Sequence, residues 1–217
     1  MSNFEFDWSA VFQAVPALVK GAELTVVITF GGLFFGFIIG VTAGWMKLAG
    51  NMVSKAVANF YIEAIRGTPF IVQVMFLYFG VPLALGFRIP PLVAAIIALS
   101  LNAGAYIAEI VRGAIQSIDR GQTEAGRSIG LTAPQAMRYV IWPQAFRRML
   151  PALGNQFIIS LKDTSILVVI GVGELTRTGQ EVIAYNFRAF EVWFAVAVIY
   201  FVMTFSVAQI IKYMERR

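Results

Sequence analysis

The residues best equipped for chemistry are Lys162 and Asp163, followed by the hydroxyls of Thr164 and Ser165 and preceded by Ser160. A basic and an acidic group side by side, with hydroxyls to orient a ligand, complement the ammonium and carboxylate of a free amino acid. Both charges fall in an apolar stretch, where an ionised group costs about 3 kcal/mol unless it faces protein or water. Adjacent helical residues point about 100° apart, so one can serve a ligand while the other braces a neighbouring helix. Plain tethering of one helix to another is the competing reading. A second polar line runs through Asn102, Tyr106 and Glu109, whose spacing of four and three puts them on one helical face. Gln73, Asn155 and Gln156 extend that lining, and Glu109 with Arg112, three apart, is set to form an ion pair.

Other chemistry is excluded by what is missing. The chain has no Cys and no His, which removes thiolate nucleophiles, disulfides, Cys/His zinc sites and imidazole relays. It contains no GxxxxGK[ST] loop, and Gly171 and Gly173 lack the third glycine of a dinucleotide turn. HExxH and GxSxG are absent too. The chain is therefore expected to be no enzyme and to bind no cofactor, metal or ATP of its own.

The elements that must position these groups are membrane helices. A composition of 59% hydrophobic and 13% charged residues over 217 positions is that of a membrane protein. Crossing about 30 Å of hydrocarbon takes about 20 helical residues. Apolar stretches at about 24–46, 57–86, 89–112, 149–173 and 190–212 predict an all-α polytopic protein with five transmembrane helices, one domain over 1–217. Gly32, Gly36, Gly40 and Gly44 recur every fourth residue, a ridge for close helix packing within the subunit or between subunits. Pro69, after Arg66-Gly67-Thr68, is expected to kink or end the lead-in to the second span.

Of the 17 basic residues Lys162 falls inside a span, and the other sixteen divide unevenly across the membrane. Lys47, Lys55, Arg66, Arg112, Arg120, Arg127, Arg138, Arg147, Arg148, Lys212, Arg216 and Arg217 fall on one side, and Lys20, Arg88, Arg177 and Arg188 on the other. Twelve against four puts the N-terminus outside and the C-terminus in the cytoplasm. No basic n-region or cleavage site precedes the first apolar run, so that span is expected to be an uncleaved anchor. The net charge of +5 then reads as topology in a lipid bilayer, with no nucleic-acid partner.

One long cytoplasmic stretch remains, about 113–148. Residues Gln122 to Ile129 predict a helix with Glu124 and Arg127 three apart. Gly130 suits the left-handed residue that ends it, and Thr132 with Gln135 gives a capping box with Pro134 in the first turn. Pro143 and Pro151 are expected to punctuate the chain beyond. So rigid a corner suits a knob for a partner's groove, or else an amphipathic hairpin lying on lipid headgroups.

These residues resemble a known family. Glu124-Ala125-Gly126, Gly130, Val140, Trp142 and Pro143 reproduce the spacing of the EAA-x3-G-x9-I-x-L-P motif of the permease subunits of binding-protein-dependent bacterial ABC importers, the MetI-like fold. Gly126, Val140 and Trp142 depart from it in identity, replacing Ala, Ile and Leu. Arg66-Gly67-Thr68-Pro69, Gly104 to Ile110 and Lys162 to Ser165 are similar to the polar amino acid branch. Gly171 to Arg177 and Asn186 to Ala189 resemble its glutamine permeases.

The resemblance implies that Glu124, Ala125, Gly126 and Gly130 couple the chain to cytoplasmic ATP-binding subunits, which use the ATP. It also implies an extracytoplasmic solute-binding protein, a second permease copy or paralogue, and import of glutamine across the bacterial inner membrane. Glutamate, aspartate or a basic amino acid are the alternative substrates. The rival classes are an ion-coupled secondary transporter with Asp163 or Glu109 as its ion site, and a membrane scaffold that moves no solute.

Overall fold

The computed structural model describes residues 7–215. Residues 1–6, and Arg216 and Arg217 of the basic set above, lie outside the described residues. A continuous run of apolar and small residues forms α1 (Ser9–Ala49, 41 residues). At 1.5 Å per residue it is about 60 Å long, twice the hydrocarbon thickness. It starts well before residue 24, because Lys20 and Glu23 interrupt an apolar count without weakening helical hydrogen bonds.

Helix α2 (Met52–Arg66) opens on Asn51, whose side chain accepts from the Ser54 amide. It is amphipathic, burying Ala58 and Ile62 while Met52, Val53, Val57 and Phe60 stay exposed. Pro69 holds Thr68 out of the helical region, and α3 (Phe70–Leu85) departs from α2 with a bend of 108°. The stretch taken from sequence as a span with a lead-in is thus a broken pair of helices. Helices long and apolar enough to cross a membrane alone number 4, or up to 5 with the bent pair as one span.

The remaining helices are α4 (Pro91–Gln116), α5 (Arg120–Ser128), α6 (Ala133–Ile170), α7 (Leu175–Asn186) and α8 (Ala189–Glu215). Contrary to expectation, α6 runs through Pro143 and Pro151 without ending. A π turn at Met137–Ile141 precedes Trp142, so Pro143 falls in the first turn of the next α-helical stretch, where its missing N–H does no harm. The cytoplasmic stretch expected at about 113–148 is itself partly helical, with α4 reaching Gln116 and α6 starting at Ala133.

The core is the contact between α1 and α4. Gly32, Gly36, Gly40 and Gly44 all face α4, which answers the question of whether the ridge packs within the subunit. A Cβ at Gly40 would stand 2.6 Å from Ile107 Cβ and 2.8 Å from the Gly104 carbonyl oxygen, and one at Gly44 would stand 2.9 Å from the Ala108 carbonyl oxygen. Helix α4 returns small residues of its own, Ala103, Gly104 and Ala108, all buried. Val111, Ile115, Ile141 and Met149 join α4 to α6, while Leu18, Leu175, Val192 and Val196 join α7 and α8 to the start of α1.

Gly40→Val is therefore expected to lose about 1–3 kcal/mol or to prevent folding, because the atoms it strikes include backbone. Gly31→Ala meets Ile96 at an ordinary 3.6 Å and should be tolerated. Thermal unfolding of the detergent-solubilised protein compares the two, and equal stability would contradict the close-contact account.

Candidate functional site

The break between α2 and α3 leaves backbone carbonyls without helical partners, and Gln73 satisfies them. Its Nε2 donates to the carbonyls of Ile65 at 2.7 Å and Thr68 at 3.0 Å and to Thr68 Oγ1 at 3.0 Å. Its Oε1 accepts from Nδ2 of the buried Asn102 on α4 at 3.0 Å. Two of the residues expected to line a polar path are thus brought together, and their bonds fix the elbow to α4. One turn along α4, Tyr106 is exposed, and the Arg66 guanidinium lies 5.4 Å from its ring centroid.

Glu109 follows on the same face. It pairs with Arg112 at 2.7 Å, as the spacing anticipates, and also with Lys47 of α1 at 2.9 Å and Arg66 of α2 at 3.8 Å. Sequence reasoning missed the last two, which lie far away in the chain. One carboxylate gathers three cations and ties the ends of α1 and α2 to α4.

Lys162, Asp163, Thr164 and Ser165 sit where α6 tightens from α-helical to 3₁₀ geometry. Thr164 is buried and donates to the Leu161 carbonyl at 2.7 Å, while Ser165 donates to the Lys162 carbonyl at 2.7 Å. Gln156 donates to Ser160 Oγ at 3.2 Å. The hydroxyls are therefore engaged in their own helix. Among the described residues, Lys162 and Asp163 make no side-chain hydrogen bond or ion pair, and no hydrogen bond joins this group to Gln73, Asn102 or Tyr106.

Glu174 was not singled out from the sequence, yet its side chain is completely buried. It caps α7 by accepting from the amides of Thr176 at 3.0 Å and Arg177 at 2.8 Å, and it accepts from the Tyr200 hydroxyl of α8 at 2.9 Å. Burial pushes its carboxyl above the ordinary range against these bonds. The available signal was an acidic residue after the Gly171-Val172-Gly173 turn, directly before a helix.

The corner after α5 is built as its residues require. Gly130 has φ 91°, the amide of Leu131 donates to the Gly126 carbonyl at 3.2 Å, and Thr132 with Gln135 forms a complete capping box. Gly126 is the buried residue of α5, facing Ala136, Leu131 and Val140. Glu124, Ala125 and Gly130 are exposed. The possible Glu124–Arg127 pair does not form, for Arg127 donates to the Leu131 carbonyl at 3.3 Å. The Glu124 carboxylate has no hydrogen bond or ion pair among the described residues.

Long apolar helices, satisfied polar groups between them and a bare rigid corner outside define a membrane permease subunit. Residues 32–217 match the family described as binding-protein-dependent transport system inner membrane component, and the chain belongs to it. It is 53% identical over 214 residues to the glutamine transport system permease protein GlnP of Escherichia coli (strain K12), covering 98% of each chain. Identity to the arginine transport system permease protein ArtQ of Bacillus subtilis (strain 168) is 35% over 211 residues, 97% of this chain and 96% of that one. A crystal structure of an amino acid ABC transporter with histidines superposes with a TM-score of 0.94 at 41% identity, covering 99% of this chain and 100% of that one.

Glu109→Gln removes the shared counter-charge of Lys47, Arg66 and Arg112. Loss of about 1–3 kcal/mol is expected, partly recovered at high salt as the exposed cations are screened. An unchanged unfolding midpoint in detergent would show that the cluster holds nothing together.

Proposed function

We propose that this chain is the permease subunit of an ATP-driven importer that carries a polar amino acid, glutamine, across the inner membrane by alternating access. The observation that carries this reading is the α5 corner. A capped, glycine-hinged helix seats itself through buried Gly126 and leaves the Glu124 carboxylate without a hydrogen-bond or ion-pair partner among the described residues. Glu124, Ala125, Gly126 and Gly130 form the face that docks into a separate cytoplasmic ATPase, and movement passes into α6 across Gly130. The substrate follows from kinship with a glutamine permease over nearly the full chain.

In this reading the N-terminus lies outside and the C-terminus in the cytoplasm, in keeping with the excess of basic residues on one side. A solute-binding protein delivers substrate at the outer face, and a second copy or paralogue closes the path. Lys162 and Asp163, neither of which makes a hydrogen bond or ion pair among the described residues, meet the amino acid next to Thr164 and Ser165. Gln73, Asn102 and Tyr106 line the path at the α2–α3 elbow.

Reconstituting the chain with its ATPase and binding protein, and following labelled glutamine, tests the reading. Uptake should require ATP and survive an uncoupler. Uptake without ATP would overturn it in favour of an ion-coupled carrier. Glu124→Arg should lower uptake at least tenfold while the chain stays folded and the ATPase stays active; normal coupled uptake would contradict the docking role. Asp163→Asn should reduce transport more than expression, and unchanged kinetics would remove Asp163 from the path.

A further inference from the structure

A groove of about 1020 Å³ runs along the outside of the bundle between α6 and α8, touching α1 at one end. Its floor is the close approach of Gly154 and Ile211, where a Cβ on the glycine would stand 2.5 Å from Ile211 Cδ1. Phe30 of α1 and Phe157 of α6 close one end edge to face, with centroids 5.1 Å apart. Arg147, the one charged residue among those lining it, stands at the other end.

The length of this trough matches one leaflet. Residues 147 to 157 of one helix span about 15 Å at 1.5 Å per residue, half of a hydrocarbon core of about 30 Å. Phe30 and Phe157 both lie inside the apolar spans expected at 24–46 and 149–173, whereas Arg147 falls just outside the latter, so the closed end is buried in hydrocarbon and the guanidinium stands at the polar edge. Arg148 beside it donates to the carbonyl and hydroxyl of Ser117. Arg147 has no hydrogen bond, ion pair or ring contact among the described residues, and Lys212 is exposed near the same end of α8. An apolar occupant such as a helix of a second copy would fill the trough but offer that guanidinium no counter-charge beyond the described residues, which hold none for it. A phosphate carrying acyl chains satisfies both ends.

We propose that this groove binds one anionic phospholipid, with an acyl chain lying between α6 and α8 and its phosphate on Arg147. A lipid seated there braces α6 against α8 on the polar-edge side of Phe157. Since α6 begins at the corner that follows α5, lipid composition gains a hold on the helix that leads away from that corner. The inference rests on the membrane placement of the helices and needs neither the substrate nor the orientation proposed above.

The test uses the full-length chain in detergent with nitroxide-labelled phosphatidylglycerol and phosphatidylcholine of equal chain length as separate probes, and reads the motionally restricted fraction by electron paramagnetic resonance. Phosphatidylglycerol should be preferred about fivefold, the effect of one basic residue near a charged surface. Arg147→Gln should bring the ratio close to one, and Arg147→Lys should retain most of it. Val207→Trp, which fills the groove, should lower restricted lipid of both kinds. A wild-type ratio of one, or an unchanged ratio in Arg147→Gln, overturns the proposal. So does efficient disulfide cross-linking of Ile210→Cys between two copies, which would assign the groove to a second chain.

Discussion

Almost every other contact follows from the approach of α1 to α4. Between membrane helices lipid is as apolar as leucine, so association depends on close packing and hydrogen bonds rather than on expulsion of water. Gly32 receives the Leu99 side chain, Gly36 and Gly40 bring side-chain-free backbone against Gly104, and Gly44 does so against Ala108. At that separation Lys47, one turn beyond the ridge, reaches Glu109 at 2.9 Å. The same contact leaves room for Tyr61 of α2 to donate to the Leu101 carbonyl at 2.7 Å. The ridge therefore sets the position of α2 as well as of α1, and with it the place where the chain turns into α3.

That turn illustrates how polar residues are tolerated within the bundle. A break of 108° exposes carbonyls that lipid cannot satisfy. Gln73 covers two of them and hands its own acceptor to Asn102, so one amide pair serves both the break and the α3–α4 contact. Glu109 does for charges what Gln73 does for amides. It gives Lys47, Arg66 and Arg112 a common partner, and Arg66 adds a second contact over the Tyr106 ring.

What the sequence made legible is what depends on neighbours within a few residues. The glycine ridge, the end of α2 at Pro69 and the corner at Gly130 with its Thr132–Gln135 box all rest on local geometry, and the structure contains each of them. Nothing local fixes the angle at the elbow, the partner of the ridge, or the arrival of Lys47 and Arg66 at Glu109. The burial of Glu174 depends on where α8 brings Tyr200, so a capping residue could be recognised but not its depth. Helices run past the expected spans wherever apolarity and helicity diverge. Lys20 and Glu23 interrupt the apolar run but not α1, and Pro143 does not punctuate α6 because a π turn with no local signature accommodates it. At the candidate site, the pairing of Glu109 with Arg112 was readable, and the engagement of the Thr164 and Ser165 hydroxyls within their own helix was not.

Charge satisfaction then separates the groups that hold the bundle from those left for other molecules. Gln73, Asn102, Glu109 and Glu174 have partners in this chain, and removing any of them strands a neighbour. The side chains of Glu124, Arg147, Lys162 and Asp163 have no hydrogen-bond or ion-pair partner among the described residues, and for Lys162 and Asp163, which fall within a span, an ionised group is expensive to leave alone. They occupy three separate places: an exposed corner, the mouth of an apolar groove, and the tightened end of α6. The docking, lipid and substrate roles proposed above would each give one of these places a partner outside the chain: basic groups of a protein at the corner, a phosphate at the groove, and a zwitterion at Lys162 and Asp163.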